Sequence, residues 1–149
     1  MDSRPIEVVA ALISDAAGRV LLVRKRGTAA FMQPGGKRDP GEDDVTALSR
    51  EIEEELGCNV VRGSIKSLGE FEAIAANEPG RRLHACLYGL VVTGDIVPGR
   101  EIDETVWVDP ASPPDIVLAP FTRDHVLPLA STTLHGQSGR SAEKLHQRT

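Results

Sequence analysis

The chain has 149 residues and a formal net charge of −5, with 40% hydrophobic and 26% charged residues. This length predicts one domain around a single core, and the composition differs from that of disordered, fibrous or membrane chains. The negative charge argues against a nucleic-acid polymer as partner, because a surface that binds a phosphate backbone is normally basic.

Two aliphatic runs near the N-terminus predict β-strands. Residues 6–14 and 20–24 are rich in β-branched and aliphatic side chains. The intervening DAAGR contains Gly18, which can adopt positive φ, so the two runs predict a hairpin. Residues 27–41 are predicted to form a loop because they contain several poor helix formers, namely Pro34, Gly35, Gly36, Pro40 and Gly41.

Residues 43–56 have the periodicity of an amphipathic helix. Asp43 and Asp44 suit its first turn as N-cap or dipole partners, and Gly57 suits the residue that stops it. An apolar stripe recurs every three or four residues, formed by Val45, Leu48, Ile52 and Leu56.

Further strands and a second helix follow. Residues 59–65, 69–75, 83–92 and 105–108 are short aliphatic or alternating segments and predict strands. Residues 120–130 predict a helix entered through Thr122, which Pro128 would end or kink. We expect residues 1–132 to form one domain and residues 133–149 a flexible C-terminal tail. One helix among strands and another near the C-terminus predict an α/β/α sandwich with a central mixed sheet.

The first predicted helix carries four glutamates in the segment REIEEELG. At about 100° per residue, Glu51, Glu54 and Glu55 share one arc beside the apolar stripe, whereas Glu53 falls on the other flank. Converging carboxylates offer the hard oxygen ligands that suit Mg²⁺ or Mn²⁺ together with substrate phosphates. The alternative interpretation is a solvated acidic face.

The residues around these glutamates follow a fixed spacing. From Gly36 the chain has five residues, Glu42, seven residues, then Arg50, Glu51, an aliphatic residue, any residue, Glu54, Glu55, any residue and Gly57. This pattern resembles the signature of the Nudix (MutT-like) hydrolases, and the preceding FMQPGG is similar to the lead-in of that family. Two residues depart from the family pattern: Cys58 replaces a larger aliphatic residue, and Gln33 stands where an apolar residue is common, which would alter the pocket.

The resemblance implies a Nudix-type α/β/α sandwich and assigns roles by position. The implied metal ligands are the side chains of Glu51, Glu54 and Glu55 and the backbone carbonyl of Gly36. Arg50 would orient the carboxylates, and Glu42 would support the loop or a second metal. The general base would be a glutamate of the motif, such as Glu54, or one from a later loop, for which this chain offers Glu101 and Glu104.

A phosphate-bearing substrate also needs cationic side chains. By analogy with the family, Arg24 or Arg26 contacts phosphate, but strand alternation places both on one face and leaves the choice open. Lys37 lies within the glycine-rich loop and is a further candidate.

The reaction implied by the resemblance is Mg²⁺-dependent hydrolysis of a nucleoside diphosphate linked to another group, with Mn²⁺ as the alternative metal. The marks of the ADP-ribose and diadenosine-polyphosphate subfamilies are absent, which favours a (d)NTP or a nucleotide sugar as substrate. The alternative function is a catalytically silent module that senses nucleotides. Homodimers are common in such families, although nothing in the sequence marks an interface.

The sequence also bears on location in the cell. No segment approaches the roughly 20 apolar residues of a membrane span, and the N-terminus lacks the layout of a signal peptide. Cys58 and Cys86 have neither metal-type spacing nor the pattern of a disulfide framework. We therefore expect a soluble cytoplasmic protein with no membrane partner.

Overall fold

A computed structural model of the chain describes residues 4–132. Within them, the strands are β1 Ile6–Ile13, β2 Val20–Lys25, β3 Phe31–Met32, β4 Gly35–Gly36, β5 Asn59–Val60, β6 Lys66–Ile74, β7 Arg82–Leu90, β8 Val92–Thr93 and β9 Ile102–Val108. The helices are α1 Asp44–Leu56, a 3₁₀ turn Arg62–Ser64, and α2 at residues 120–132, which contains a π-helical turn at Thr122–Val126. The predicted tail at residues 133–149 lies outside the described residues.

The strands form a mixed sheet, an antiparallel sheet and a small pair. The mixed sheet has the order β4-β1-β7-β6, in which β1 and β7 are parallel and the other neighbours antiparallel. The second sheet has the order β3-β2-β9, and β5 pairs with β8. Helices α1 and α2 lie in two separate hydrophobic clusters, each of which contains residues from both larger sheets. The predicted α/β/α sandwich with a mixed sheet is therefore confirmed.

The predicted hairpin of the first two strands is wrong. β1 and β2 are joined only by an isolated bridge between Ser14 and Val20 and are central strands of different sheets. The physical reason is burial on both faces, since Val9 to Ile13 and Val20 to Val23 are almost wholly inaccessible to solvent. Continuous apolar runs are typical of such doubly covered strands, whereas a hairpin with one solvated face alternates.

Strand alternation divides the core between the two helices. Val9, Ala11 and Ile13 of β1 pack in the cluster that contains α1, with Leu48, Ile52 and Leu56. Ala10 and Leu12 pack in the cluster that contains α2, with Phe121, Val126 and Leu127. The central strands thus hold α1 and α2 in fixed positions.

Helix α1 has the predicted ends. The Asp43 carboxylate accepts a hydrogen bond from the Thr46 N–H at 2.8 Å, which caps the first turn. Gly57 adopts the left-handed conformation with φ of 65° and donates its N–H to the Glu53 carbonyl, which ends the helix. Local sequence therefore determines where α1 starts and stops.

The remaining elements differ from prediction in length. The predicted strand 59–65 is only Asn59–Val60, followed by the 3₁₀ turn, and the predicted loop 27–41 contains the short strands β3 and β4. Helix α2 continues beyond Pro128, and the π turn lies just before this residue, with the Leu127 N–H bonded to the Thr122 carbonyl. None of the helices in residues 4–132 is long and apolar enough to cross a membrane.

We expect Gly35→Ala to destabilise the protein by at least about 2 kcal/mol. Gly35 has a φ of 145°, and a Cβ there would lie 2.2 Å from the Val9 carbonyl oxygen, a backbone atom of the paired strand β1. Urea denaturation measures the effect. Gly63→Ala is the matched control, because a Cβ at Gly63 meets no atom within 4 Å; equal stability of the two variants would contradict this prediction.

Candidate active site

A cleft of about 810 Å³ runs from helix α1 across strand β4 to the start of α2. Three glutamates of α1 line it, Glu51, Glu54 and Glu55, whereas Glu53 is exposed elsewhere. The three glutamates differ in exposure, since Glu55 is buried, Glu51 is partly buried and the Glu54 side chain is 59% exposed. The glycine strand and the acidic face of α1 therefore meet in one concave site.

Glu55 is a buried carboxyl group with a perturbed pKa. Loss of hydration raises its pKa to about 7, and the charge of Glu51 acts in the same direction. The positive charge of Lys25 opposes this shift, as does the Gly35 N–H, which donates to Oε1 at 3.3 Å. A carboxyl group in this setting is ready to bind a cation once it loses its proton.

Glu51 lies directly against the backbone of the glycine strand. A Cβ built on Gly36 would lie 2.4 Å from Oε2 of Glu51, so only glycine allows this approach. Burial raises the pKa of Glu51, and the neighbouring Arg50 guanidinium acts against that increase. The Glu51 carboxylate and the Gly36 backbone thus occupy the same corner of the cleft.

Arg50 connects the acidic groups around the cleft. Its Nε and Nη2 donate to the two oxygens of Glu42, each at 2.8 Å, and Nη2 also donates to the Lys37 carbonyl at 3.0 Å. Its Nη1 lies 3.2 Å from Glu51 Oε2 and 3.3 Å from Glu54 Oε1. These bonds raise the pKa of Arg50 and, with the Asp39 N–H, lower that of Glu42 to about 2.

We expect Arg50→Lys to lower kcat at least about tenfold, because an ammonium group cannot make the paired bonds to Glu42 while also reaching Glu51 and Glu54. Steady-state kinetics at saturating metal measures the effect. Arg62→Lys, at an exposed position of the 3₁₀ turn, is the control for an arginine-to-lysine change. Wild-type kcat in Arg50→Lys would show that charge alone is sufficient at this position.

The residues present fit a hard divalent cation. Glu51, Glu54, Glu55 and the Gly36 carbonyl are all oxygen donors, and the close approach of Glu51 to Gly36 brings two of them together. Within residues 4–132, no group of three or more acidic, His or Cys side chains already has the arrangement of a metal cage. Glu51 and Glu54 instead contact Arg50, so a bound cation would compete with Arg50 for these carboxylates.

Some of the candidate phosphate-binding cations line the cleft and others do not. Arg24 binds Glu104 at 2.8 Å and the Thr28 carbonyl, and Arg26 lies 3.8 Å from Asp103; neither lines the cleft. Lys37 lines it as expected, and so does Lys25, which lies between the two arginines to which the family analogy gave the phosphate contact. Strand alternation could have indicated the position of Lys25, because every second residue of a strand lies on the same face. Leu21 and Val23 share that face with Lys25, and their side chains pack with α1.

Of the two later glutamates, Glu101 lines the cleft and Glu104 does not. The loop that carries Glu101 is bound to the C-terminal end of α1, because the Val97 and Gly99 N–H groups donate to the carbonyls of Leu56 and Glu55 at 2.7 and 2.9 Å. A Cβ at Gly99 would lie 2.1 Å from the Glu54 carbonyl oxygen. No sequence motif marked this docking of the loop on α1.

A NUDIX domain model matches residues 4–129, which is most of the chain. The chain therefore belongs to the Nudix (MutT-like) hydrolase family.

One curated relative, from Haemophilus influenzae (strain ATCC 51907 / DSM 11121 / KW20 / Rd), is described as an 8-oxo-dGTP diphosphatase. It is 36% identical over 76 residues, a match that covers 48% of this chain and 56% of the relative. The matched part of the chain thus spans little more than half the length of that protein.

Several solved structures are similar to the chain over most of its length. A MutT NUDIX hydrolase from Burkholderia pseudomallei has a TM-score of 0.68 and 25% identity, with 87% of this chain and 97% of that one covered. The E. coli ORF135 protein has a TM-score of 0.66 and 26% identity, with 95% and 96% covered. A UDP-X diphosphatase has a TM-score of 0.73 but 20% identity, with 92% and 66% covered, so this likeness concerns the fold alone.

Proposed function

We propose that the protein is a pyrophosphohydrolase that uses Mg²⁺, or alternatively Mn²⁺, to cleave a nucleoside diphosphate linked to another group. The observation that carries this proposal is the convergence of Glu51, Glu54 and Glu55 with Gly36 at one end of a large cleft, with Arg50 bonded to two of the three carboxylates. A purely acidic surface would not require the glycine backbone against Glu51.

Glu51, Glu54, Glu55 and the Gly36 carbonyl would hold the cation. When bound, such a cation neutralises the diphosphate and lowers the pKa of a water molecule that it carries. The chain itself supplies orientation: Arg50 fixes Glu51 and Glu54 relative to Glu42 and the Lys37 carbonyl. Catalysis of phosphoryl transfer depends mainly on such positioning and on charge.

The phosphate groups of the substrate need cations beside the carboxylates. Lys25 and Lys37 line the cleft and are the cations that we assign to phosphate. We retain Arg24 and Arg26 only for substrates large enough to extend beyond the cleft, because both lie against acidic residues of β9.

The general base takes a proton from the attacking water onto a carboxylate oxygen. Glu54 and Glu101 both line the cleft, whereas Glu104 is bound to Arg24. We therefore assign the base to Glu54 or Glu101. The binding of the 97–99 segment to the end of α1 holds Glu101 at a fixed position relative to the metal-binding face.

The substrate that we propose is a (d)NTP or a nucleotide sugar. The name of the curated relative, an 8-oxo-dGTP diphosphatase, supports a nucleotide. We further propose that residues 1–132 form a single Nudix hydrolase domain, that the protein acts in the cytoplasm without nucleic-acid polymer or membrane partners, and that any self-association is a homodimer.

We expect hydrolysis of a dNTP mixture to require Mg²⁺, to stop with EDTA and to resume when Mg²⁺ is added in excess. Glu51→Gln should raise the Mg²⁺ concentration for half-maximal rate at least about tenfold, since it removes a ligand. Glu53→Gln is the matched control, because Glu53 lies on the same helix outside the cleft. An equal Mg²⁺ requirement in all three proteins would contradict the assigned metal site.

A further inference from the structure

The amide of Gln33 lies in the lining of the cleft and has a single described partner. The residue is only 9% exposed, and its Oε1 accepts a hydrogen bond from the Thr122 hydroxyl at 2.6 Å. Within residues 4–132, its Nε2 has no hydrogen-bond acceptor. This nitrogen is not among the fully buried unpaired polar atoms of the described residues, which are Ser49 Oγ and Arg81 Nε, so Nε2 is accessible from the cleft and free to donate to a ligand.

Backbone hydrogen bonds hold both ends of the Gln33–Thr122 contact. The Phe31 N–H donates to the Val117 carbonyl at 2.8 Å, and the Ala119 N–H donates to the Phe31 carbonyl at 2.9 Å. The Pro34 carbonyl accepts from the Ala11 N–H at 2.9 Å. Gln33 is therefore flanked by anchored residues, and Thr122 itself is wholly buried in the π turn of α2. Such turns occur often at functional sites.

Gln33 also stands at a suitable distance from the phosphate end of the cleft. It precedes Gly35 by two residues, about 7 Å along an extended chain. The same cleft is also lined by the apolar side chains of Val8, Leu83 and Ile74, the last 53% exposed. This region fits a flat aromatic group that is separated from its phosphates by a sugar.

We propose that Gln33, held by Thr122, is the residue that selects the nucleobase, and that its NH₂ group donates to a carbonyl oxygen of the base. This inference rests on the proposed function, since it places a nucleotide in the cleft. Guanine and hypoxanthine carry an exocyclic oxygen at C6, and thymine and uracil carry one at C4. Adenine and cytosine carry an NH₂ group at the corresponding carbon. Two NH₂ groups facing each other leave both donors unpaired, which disfavours the amino bases.

The test compares two nucleotides that differ at this position, the non-hydrolysable α,β-methylene analogues of dITP and dATP. Calorimetric titration in Mg²⁺ gives the dissociation constant of each for the wild type and for variants. We expect the wild type to bind the inosine analogue at least about tenfold more tightly. Gln33→Leu should bring the two dissociation constants within about threefold of each other. Gln33→Glu, which offers only acceptors when ionised, should bind the adenosine analogue more tightly than the inosine analogue.

Two further variants separate selection from general damage to the cleft. Thr122→Val retains the shape of the side chain but removes the hydroxyl that holds the Gln33 amide. We therefore expect a smaller preference for the inosine analogue than in the wild type. Asn77→Leu removes another amide that lines the same cleft and should leave the ratio unchanged. Equal binding of the two analogues by the wild type, failure to bind either one, or a wild-type ratio in Gln33→Leu would overturn the inference.

Turnover measurements distinguish this inference from the proposed function. Hydrolysis of nucleotides without the expected base preference would remove the role of Gln33 and leave the catalytic proposal standing. The expected binding ratio without any hydrolysis would support the role of Gln33 and count against the catalytic proposal.

Discussion

We expect Glu54→Gln to lower kcat at least about a hundredfold while the free energy of unfolding stays within about 0.5 kcal/mol of the wild type. The Glu54 side chain is 59% exposed, and its side-chain hydrogen bonds within residues 4–132 are with Arg50 at 3.3 and 3.4 Å. Its replacement leaves no cavity and no buried unpaired group. The reaction, by contrast, loses a carboxylate assigned both to the metal and to proton transfer.

Glu53→Gln is the control for this prediction, because it changes the neighbouring residue of α1 by the same chemistry outside the cleft. Single-turnover and steady-state kinetics give kcat for each variant, and urea denaturation gives its free energy of unfolding. Wild-type kcat in Glu54→Gln would remove Glu54 from the catalytic machinery. A similar loss in Glu53→Gln would show that the acidic helix acts through its total charge.

We expect Glu55→Gln to abolish activity and yet to stabilise the metal-free protein above neutral pH. Burial raises the pKa of Glu55 from 4.5 to about 7. Between pH 4.5 and about pH 7, the carboxyl group is therefore protonated in the folded state and ionised in the unfolded state. The stabilising contribution of the protonated group is complete below pH 4.5 and is lost as the pH rises through about 7. A shift of this size corresponds to roughly 3 kcal/mol. Glutamine does not ionise, so the variant avoids this loss.

The measurement is urea denaturation in EDTA at about pH 5 and about pH 8. The two proteins should differ little at the lower pH, and the variant should be more stable at the higher one. Glu53→Gln should follow the pH dependence of the wild type. Identical pH dependence in Glu55→Gln and wild type would show that Glu55 ionises in the folded protein as readily as in the unfolded chain.

The parts of the structure that sequence predicted well depend on local interactions. The ends of α1 follow from Asp43 and Gly57, whose cap bonds involve residues within one turn. The grouping of Glu51, Glu54 and Glu55 follows from the angular spacing of a helix, and all three line the cleft. Such features need no knowledge of which strands pair.

The parts that sequence did not predict depend on tertiary pairing. The hairpin was wrong because each of the first two strands takes its partners from distant segments, as in the parallel pairing of β1 with β7. The ion pairs of Arg24 with Glu104 and of Arg26 with Asp103 also depend on the pairing of β2 with β9, which no local pattern predicts. The contact between Gln33 and Thr122 joins residues 89 positions apart, so no local pattern could have revealed it.

We propose that the protein hydrolyses a nucleoside diphosphate derivative through this acidic site. Product analysis tests it most directly, after incubation with Mg²⁺ and separate dNTPs, NTPs, nucleotide sugars, ADP-ribose and dinucleoside polyphosphates, with Glu54→Gln as the control. We expect one class to be converted to a nucleoside monophosphate plus pyrophosphate or a sugar phosphate, and Glu54→Gln to be at least about a hundredfold slower. Tight binding of a nucleotide without turnover of any compound would contradict it and would indicate a nucleotide sensor instead.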